Sequence, residues 1–196
     1  MKKLVVASGN THKVQEVKKI LAPMGFHVRS MKEIKKELDI QEDGGSFEEN
    51  ALIKARALSA ISREIVLADD SGLEVEALDG APGIYSARYA GVHGDDQANN
   101  DRLLRELEDV PWEKRGARFY CAIAVVFPHG EEIVVNGECK GFIGYEPKGT
   151  NGFGYDPLFY IPELGKTFAQ LEPEEKNRIS HRSRALKKLG MILQDR

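Results

Sequence analysis

Apolar positions along the chain switch between two periods. Lys3 to Ser8 is a short apolar run ending in Gly-Asn, and Val14, Val17, Ile20 and Leu21 follow at helical spacing. This predicts strand, tight loop and helix, the opening of an α/β domain. Ser46-Phe47-Glu48-Glu49 has the form of a capping box. Phe47, Ala51, Ala55 and Leu58 mark one face of the helix it starts, with Asn50 and Lys54 on a neighbouring stripe. Ile65 to Ala68 is a brief apolar run that stops at Asp69-Asp70-Ser71-Gly72, as expected of a buried strand whose end carries polar groups.

Asp79-Gly80 and Pro82-Gly83 mark a turn-rich stretch, and Asp95 to Glu108, charged but with Leu103, Leu104 and Leu107, reads as an ordinary surface helix. Arg118 to Phe127 and Glu132 to Ile143 flank Pro128-His129-Gly130 and predict an antiparallel hairpin in a larger mixed sheet, with bulges at Gly137 and Gly141. A glycine-rich run from Gly149 to Gly154 precedes a short strand, Leu158 to Ile161. A closing helical region from Pro173 turns Ala185, Leu186, Leu189 and Ile192 to a core.

With 196 residues, 41% of them hydrophobic and 30% charged, the chain fits a single domain spanning 1–196 with room for two lobes. A net charge of -3 argues against a protein that coats nucleic acid and for a small anionic partner. Lys and Arg concentrate up to Lys36 and again from Glu172, with an acidic stretch between Glu37 and Asp109, so folding can gather the basic ends around phosphate. Cys121 and Cys139 lack metal or redox spacing and read as buried thiols of a reducing cytosol. No apolar run approaches the roughly 18 residues of a membrane span, which predicts a cytoplasmic protein that binds no membrane.

Four groups of residues carry candidate chemistry. Ser8, Gly9, Asn10, Thr11, His12 and Lys13 form a strand-to-helix turn of the kind that offers N–H groups, hydroxyls and an ammonium to phosphate, although it lacks Walker A spacing. Alone, such a turn is more often plain loop chemistry. Glu42, Asp69 and Asp70 are hard oxygen donors of the type magnesium takes in phosphoryl-transfer sites. Neighbouring side chains on a strand point to opposite faces, so one aspartate faces a cleft while the other supports it from behind. Phe153, Gly154, Tyr155 and Asp156 put aromatics and a carboxylate between small residues, suited to a flat base or equally to a turn plugging the core. Lys176 and Ser180-His181-Arg182-Ser183 form a polar run in an amphipathic helical region, a pattern shared with any solvated basic face.

In this order the motifs resemble those of the inosine triphosphate pyrophosphatase family, enzymes that hydrolyse noncanonical purine nucleoside triphosphates such as ITP, dITP and XTP to the monophosphate and pyrophosphate. The carriers are SGNTHK from Ser8, SFEENALIKA from Ser46, ADDSGLEV from Ala68, GAPGIYSARYAG from Gly80, GFGYDPLF from Gly152 and ISHRSRAL from Ile179. The resemblance implies an α/β fold with a long bent mixed sheet and flanking helices, two lobes around a central substrate cleft, and a homodimer. It implies that Ser8 to Lys13 and Lys54 take the triphosphate, that Glu42 and Asp70 hold Mg2+, and that Asp70 accepts the proton of the attacking water. Ser71 would touch substrate, and Phe153, Gly154, Tyr155 and Asp156 would form part of the nucleoside pocket.

Lys176, His181 and Arg182 would contact the base or its phosphates. Lys176 or Arg182 can donate to the C6 oxygen of hypoxanthine or xanthine but not to the amine of adenine. Gln41-Glu42-Asp43 leaves Asp43 as the alternative metal ligand, and the segment from Gly80 to Gly91, with Arg88 and Tyr89 between small residues, fits either a cleft loop or a dimer contact. Two rival readings are a Maf-type nucleotide pyrophosphatase with another base preference, and a nucleotide-binding regulator that does not hydrolyse.

Overall fold

The computed structural model describes residues 2–34 and 40–194. Its elements in chain order are β1 (Lys2–Val6), α1 (Thr11–Leu21), β2 (Phe26–Ser30), α2 (Phe47–Ser62), β3 (Ile65–Val75), α3 (Asp96–Glu106), β4 (Gly116–Val126), β5 (Glu132–Ile143), β6 (Phe159–Ile161), β7 (Lys166–Thr167), α4 (Pro173–Ile179) and α5 (His181–Gln194). The strands form one mixed sheet in the order β2-β1-β3-β4-β5-β6-β7. β1 runs parallel to both β2 and β3, with Leu4 opposite Val28 and Ile65, whereas β6 is antiparallel to β5 and β7. This is the α/β class with flanking helices that the alternation of periods predicts.

The chain divides into two compact units: Met1–Asp70 with Cys121–Gly137 and Arg182–Arg196, and Ser71–Tyr120 with Glu138–His181. Strands β3, β4 and β5 each contribute residues to both. In the first unit Leu4, Val6, Val28, Leu67, Ile123 and Val125 share one aliphatic cluster with Val14, Val17 and Leu21 of α1 and Leu186 and Leu189 of α5. Each such side chain, fully buried, contributes about 1.5–3 kcal/mol. Val66, Ala68, Ala122 and Ala124 alternate with these positions along β3 and β4 and are equally buried, as are Ala51, Ala55 and Leu58 of α2.

The second unit is built around aromatic rings. Phe119 of β4 lies 4.6 Å from Phe159 and, nearly parallel at 3°, 5.7 Å from Phe168. Leu103 and Leu107 from the α3 side, Leu73 and Val75 of β3, and Tyr89, Tyr155 and Leu158 complete the cluster.

The structure corrects or refines the sequence reading at several points. β3 does not end at Asp69; it continues through Asp69-Asp70-Ser71-Gly72 to Val75, because both carboxylates find cationic partners where they stand. β2 has a burial pattern of inward Phe26 and Val28 that a reading of longer runs passes over. The closing helical region is two helices separated at Ser180, which is extended at φ -64 and ψ 153. Ile192 is 36% exposed and Leu193 takes the core position instead. Cys121 and Cys139 are buried free thiols, as expected. At Gly141 the sequence pattern predicts a bulge; what the structure shows there is close approach, since a Cβ would lie 2.5 Å from the Tyr160 carbonyl of β6.

Candidate active site

In the first unit the polar groups converge on β3. Asp69 has the parity of Leu67 and so faces α1 and α5, where its Oδ2 meets Lys13 Nζ at 3.2 Å and accepts from Arg182 Nε at 3.0 Å. Asp70 has the parity of Val66 and Ala68, and faces α2. Its Oδ2 accepts from Asn50 Nδ2 at 3.1 Å and its Oδ1 from Lys54 Nζ at 3.2 Å. Alternation along an extended strand thus separates two neighbouring carboxylates into different jobs, the division expected for this dipeptide.

Lys54 Nζ also donates to Glu42 Oε2 at 3.0 Å. One ammonium therefore draws Glu42 and Asp70 together, while Asp43 is exposed. Asn50, unremarked as a site residue in the sequence, is the hinge of this arrangement. Its Oδ1 accepts from Gly44 N at 2.9 Å while its Nδ2 holds Asp70, so one amide fixes both the Glu42 segment and the carboxylate. The signal was its stripe, one helical turn before Lys54 on the same face. The helix start itself is half a capping box: Ser46 Oγ accepts from Glu49 N, but the Glu49 carboxylate reaches back to Gly45 N instead of Ser46 N.

Burial pushes the Asp70 carboxyl above its usual range, against the pull of Lys54 and Lys13. For Lys54 burial acts downward, but the charges of Asp70, Glu42 and Asp69 outweigh it and hold the ammonium above its ordinary value. Arg182 is 2% exposed; its Nε binds Asp69 and its Nη1 binds Glu16 Oε2 at 2.5 Å. Here the arginine anchors the start of α5 to β3 and α1. Glu16, absent from the sequence-derived set, belongs to the same buried network.

The turn from Ser8 to Lys13 is built around Asn10. Asn10 N donates to Ser8 Oγ at 3.1 Å, and Asn10 Oδ1 caps α1 by accepting from His12 N and Lys13 N at 2.9 and 3.2 Å. Gly9, Asn10, Thr11 and His12 are exposed, and the first turn of α1 holds no acidic residue. The positive end of the helix dipole is left open to an anion.

In the second unit the turn around Phe153 is organised by Asp156. Its buried Oδ2 accepts from Phe153 N at 2.9 Å and from Lys176 Nζ at 2.5 Å. Gly152 has φ +79, and a Cβ there would stand 2.0 Å from that carboxylate oxygen, so only glycine fits. Lys176 Nζ lies 4.8 Å from the centroid of the half-buried Phe153 ring and 5.6 Å from that of Phe168. Gly154 brings its backbone to the same turn, and Ser71 is the β3 residue with which this unit begins.

Tyr155 lies in the core, its hydroxyl donating to Ser86 O at 2.8 Å; it supports the turn from beneath. His181 stacks at 4.8 Å and 13° on Phe119, so consecutive residues of the Ser-His-Arg run serve different units. Tyr89 is likewise buried against Glu106 and Arg102, while the Arg88 guanidinium covers the exposed ring of Tyr85.

Among the described residues no group of three or more His, Cys, Asp or Glu is placed to hold a metal ion. The two acids that meet at Lys54 nevertheless fit a cation of the magnesium type, which takes one or two carboxylates and completes its shell with substrate phosphates and water. No helix among the described residues is long and apolar enough to cross a membrane.

Comparison with known proteins extends the argument. A dITP/XTP pyrophosphatase of Halalkalibacterium halodurans is 54% identical over 193 residues, covering 98% of this chain and all of that protein. One from Clostridium perfringens is 51% identical over 96% of each chain. Among solved structures, the Ham1 protein of Staphylococcus aureus aligns with a TM-score of 0.89 at 44% identity over 99% of both chains. That of Coxiella burnetii aligns with a TM-score of 0.91 at 40% identity over the whole of both. The Ham1 family model matches residues 4–191. The chain belongs to the Ham1 family.

Proposed function

We propose that the chain hydrolyses noncanonical purine nucleoside triphosphates, dITP, XTP and ITP, to the monophosphate and pyrophosphate. The observation that carries the reading is the convergence of Lys54 and Asn50 on the buried carboxylate of Asp70, with Glu42 held by the same ammonium. Burying a charged pair costs more than an apolar pair would, so such a cluster is retained for chemistry more readily than for stability.

Glu42 and Asp70 would hold Mg2+, which when bound supplies charge neutralisation at the phosphate oxygens. Asp70, its basicity raised by burial, orients water and takes its proton as the water oxygen bonds to the α-phosphorus. The α–β anhydride bond breaks, and pyrophosphate leaves with the bond electrons. Lys13, Lys54 and the exposed turn from Ser8 to His12, at the positive end of α1, bind the charge of the leaving group, with Ser71, next to Asp70 in sequence, as a further substrate contact.

On the second unit, Phe153 gives the purine a flat face and Gly154 a close backbone approach, with Tyr155 and Asp156 holding the turn. Lys176, 4.8 Å from the centroid of that ring, donates to a C6 oxygen, with His181 on the same unit; Arg182, in the first unit, serves the phosphate side by holding Asp69. Such a donor facing an adenine amine meets another donor, and losing a charged hydrogen bond costs about 1.5–3 kcal/mol, enough for roughly tenfold to 100-fold selection. We propose further that residues 1–196 act as one enzymatic domain, as a homodimer in the cytoplasm, where the two free cysteines fit a reducing environment.

The experiment is pyrophosphate release by the purified chain with magnesium, from dITP, XTP, ITP, GTP and ATP, beside an Asp70→Asn variant. Release confined to dITP, XTP and ITP and lost in the variant supports the whole reading. Equal release from ATP removes the base selectivity, and full activity in a folded Asp70→Asn protein removes the role of Asp70.

A further inference from the structure

The α3 segment reads in the sequence as an ordinary surface helix, yet beside the buried Leu103 its inward face also carries polar side chains. Asn99 and Asn100, both poor helix formers, are buried in the middle of α3. Asn100 Nδ2 donates to Gly154 O at 2.9 Å, and Asp96 Oδ2, one helical turn earlier, accepts from Gly154 N at 2.7 Å. Two side chains spaced i and i+4 therefore grip both backbone groups of one residue, and that residue follows Phe153. Asn99 does similar work on a second segment: its Oδ1 accepts from Ala90 N at 2.7 Å and its Nδ2 donates to Ala87 O at 3.4 Å.

Gly154 has φ +62, a left-handed conformation that glycine visits freely and must be held in if it is to stay. The other side of the turn is held separately, by Asp156 on Phe153 N and by Asn151 Nδ2 on Leu171 O at 3.0 Å. Without α3, Gly154 keeps no hydrogen bond on either backbone group from outside its own turn among the bonds identified in the described structure, and the Phe153 ring inherits that freedom. Asn100 Oδ1 is buried without a hydrogen-bond partner among the described residues, so this asparagine completes no wider polar network; its amide is used on the turn.

We propose that Asp96 and Asn100 are positioning residues that set purine selectivity by fixing Gly154 and, through it, the ring of Phe153. The inference rests on the reading of Phe153 as the base platform. Both lie in the unit that carries Phe153, and their bonds go to Gly154, so on that reading their influence falls on the base half of the substrate.

The test compares Asp96→Ala, Asn100→Ala and the conservative Asp96→Asn, which keeps an oxygen acceptor, with Asp101→Ala on the exposed side of α3 as a control. Steady-state kinetics on dITP and dATP are paired with calorimetric binding of dIMP and of pyrophosphate. We expect both alanine variants to raise the KM for dITP about tenfold and weaken dIMP equally, with kcat within about twofold and pyrophosphate affinity unchanged, the split expected of lost base positioning. The dITP preference over dATP should narrow, Asp96→Asn should recover most of the loss, and Asp101→Ala should match the parent.

Because Asp96 is exposed at the first turn of α3, its alanine variant tests the idea even if Asn100→Ala fails to fold. An Asp96→Ala protein with parental KM and selectivity overturns the clamp alone. So does a parallel fall in kcat, dIMP and pyrophosphate binding, which would mark a structural role. A parent chain that neither cleaves dITP nor binds dIMP overturns the proposed function and the clamp together.

Discussion

Around β1 and β2, buried charge sits among aliphatic side chains: Asp69, Asp70, Lys54 and Arg182 are all withdrawn from water beside Leu67, Ala68 and Leu186. Around β6 and β7 the core is aromatic, with Phe119, Phe159, Phe168 and Tyr155 packed together and the Lys176–Asp156 pair as its buried ion pair. The contrast teaches that the same kind of ion pair is set in two different media within one chain. Opposed fixed charges in an aliphatic setting suit phosphate and its cation, because low polarisability strengthens each charge. Stacked rings with one ammonium suit a flat heterocycle, because π faces add contact area and a single donor chooses orientation.

The largest effect expected from breaking this division is at Asp70. Asp70→Asn keeps the shape and the hydrogen bond from Asn50 but removes the proposed proton acceptor, so dITP turnover should fall by about 10³-fold or more, with the melting temperature little changed. Retained turnover would place the proton acceptor elsewhere. Next comes Phe119, the ring on which His181 and Phe168 both rest; Phe119→Ala should cost about 3–5 kcal/mol in urea unfolding. Val17→Ala in the aliphatic cluster should cost less, about 1–3 kcal/mol by the methyl groups removed. An equal cost at the two sites would dissolve the claim that rings carry the second unit.

Asp156→Asn should have a smaller effect. Its amide oxygen still accepts from Phe153 N, but Lys176 loses its counter-charge, and we expect a loss of about 1–3 kcal/mol in stability together with a rise in the KM for dITP at nearly constant kcat. A fall in kcat alone would tie this pair to the chemistry instead of to the base.

The smallest effects are in pH. Burial, then the hydrogen bond to the Glu106 carboxylate, pushes the Tyr89 hydroxyl up to about 12 from 10.0. Its contribution to stability is whole below pH 10 and is lost as pH rises toward 12. In the first unit the Ser30 backbone N–H, then Lys18, holds Glu33 down at about 2 from 4.5, so its contribution is present above pH 4.5 and fades as pH falls toward 2. Tyr89→Phe should flatten the alkaline limb of a stability profile and Glu33→Gln, at an exposed site, barely alter the acid one. The reverse ranking would show that the exposed pair matters more than the buried hydroxyl.

Much of the architecture was legible because periodicity is a direct imprint of burial. The α2 stripe, the β4 and β5 runs and the opposite facing of Asp69 and Asp70 all follow from 3.6- and 2-residue repeats. Several of the misreadings share one physical origin, polar residues buried by long-range partners. Asp69-Asp70 looked like a strand end because Arg182 and Lys54 are distant in sequence. Asn99 and Asn100 looked like a solvated face because Gly154 lies far along the chain, and Asn50 drew notice only as a neighbour of Lys54. Tyr155 and Arg182 stand out in the sequence, but their orientations, toward Ser86 and toward Asp69 and Glu16, depend on backbone atoms and charges that no local pattern encodes.

The alternation of β3 also bears on how such a chain can change length over time. Leu67, Asp69 and Leu73 answer to one side, and Val66, Ala68 and Asp70 to the other, so the strand works as a reading frame with a period of two. Gaining or losing a single residue anywhere between Ile65 and Val75 would exchange the sides for everything beyond it, turning leucine toward Lys54 or aspartate into a core. Indels should therefore accumulate in the loops while this strand keeps its length, and a designer grafting the Asp-Asp pair onto another sheet must preserve its parity before its neighbours.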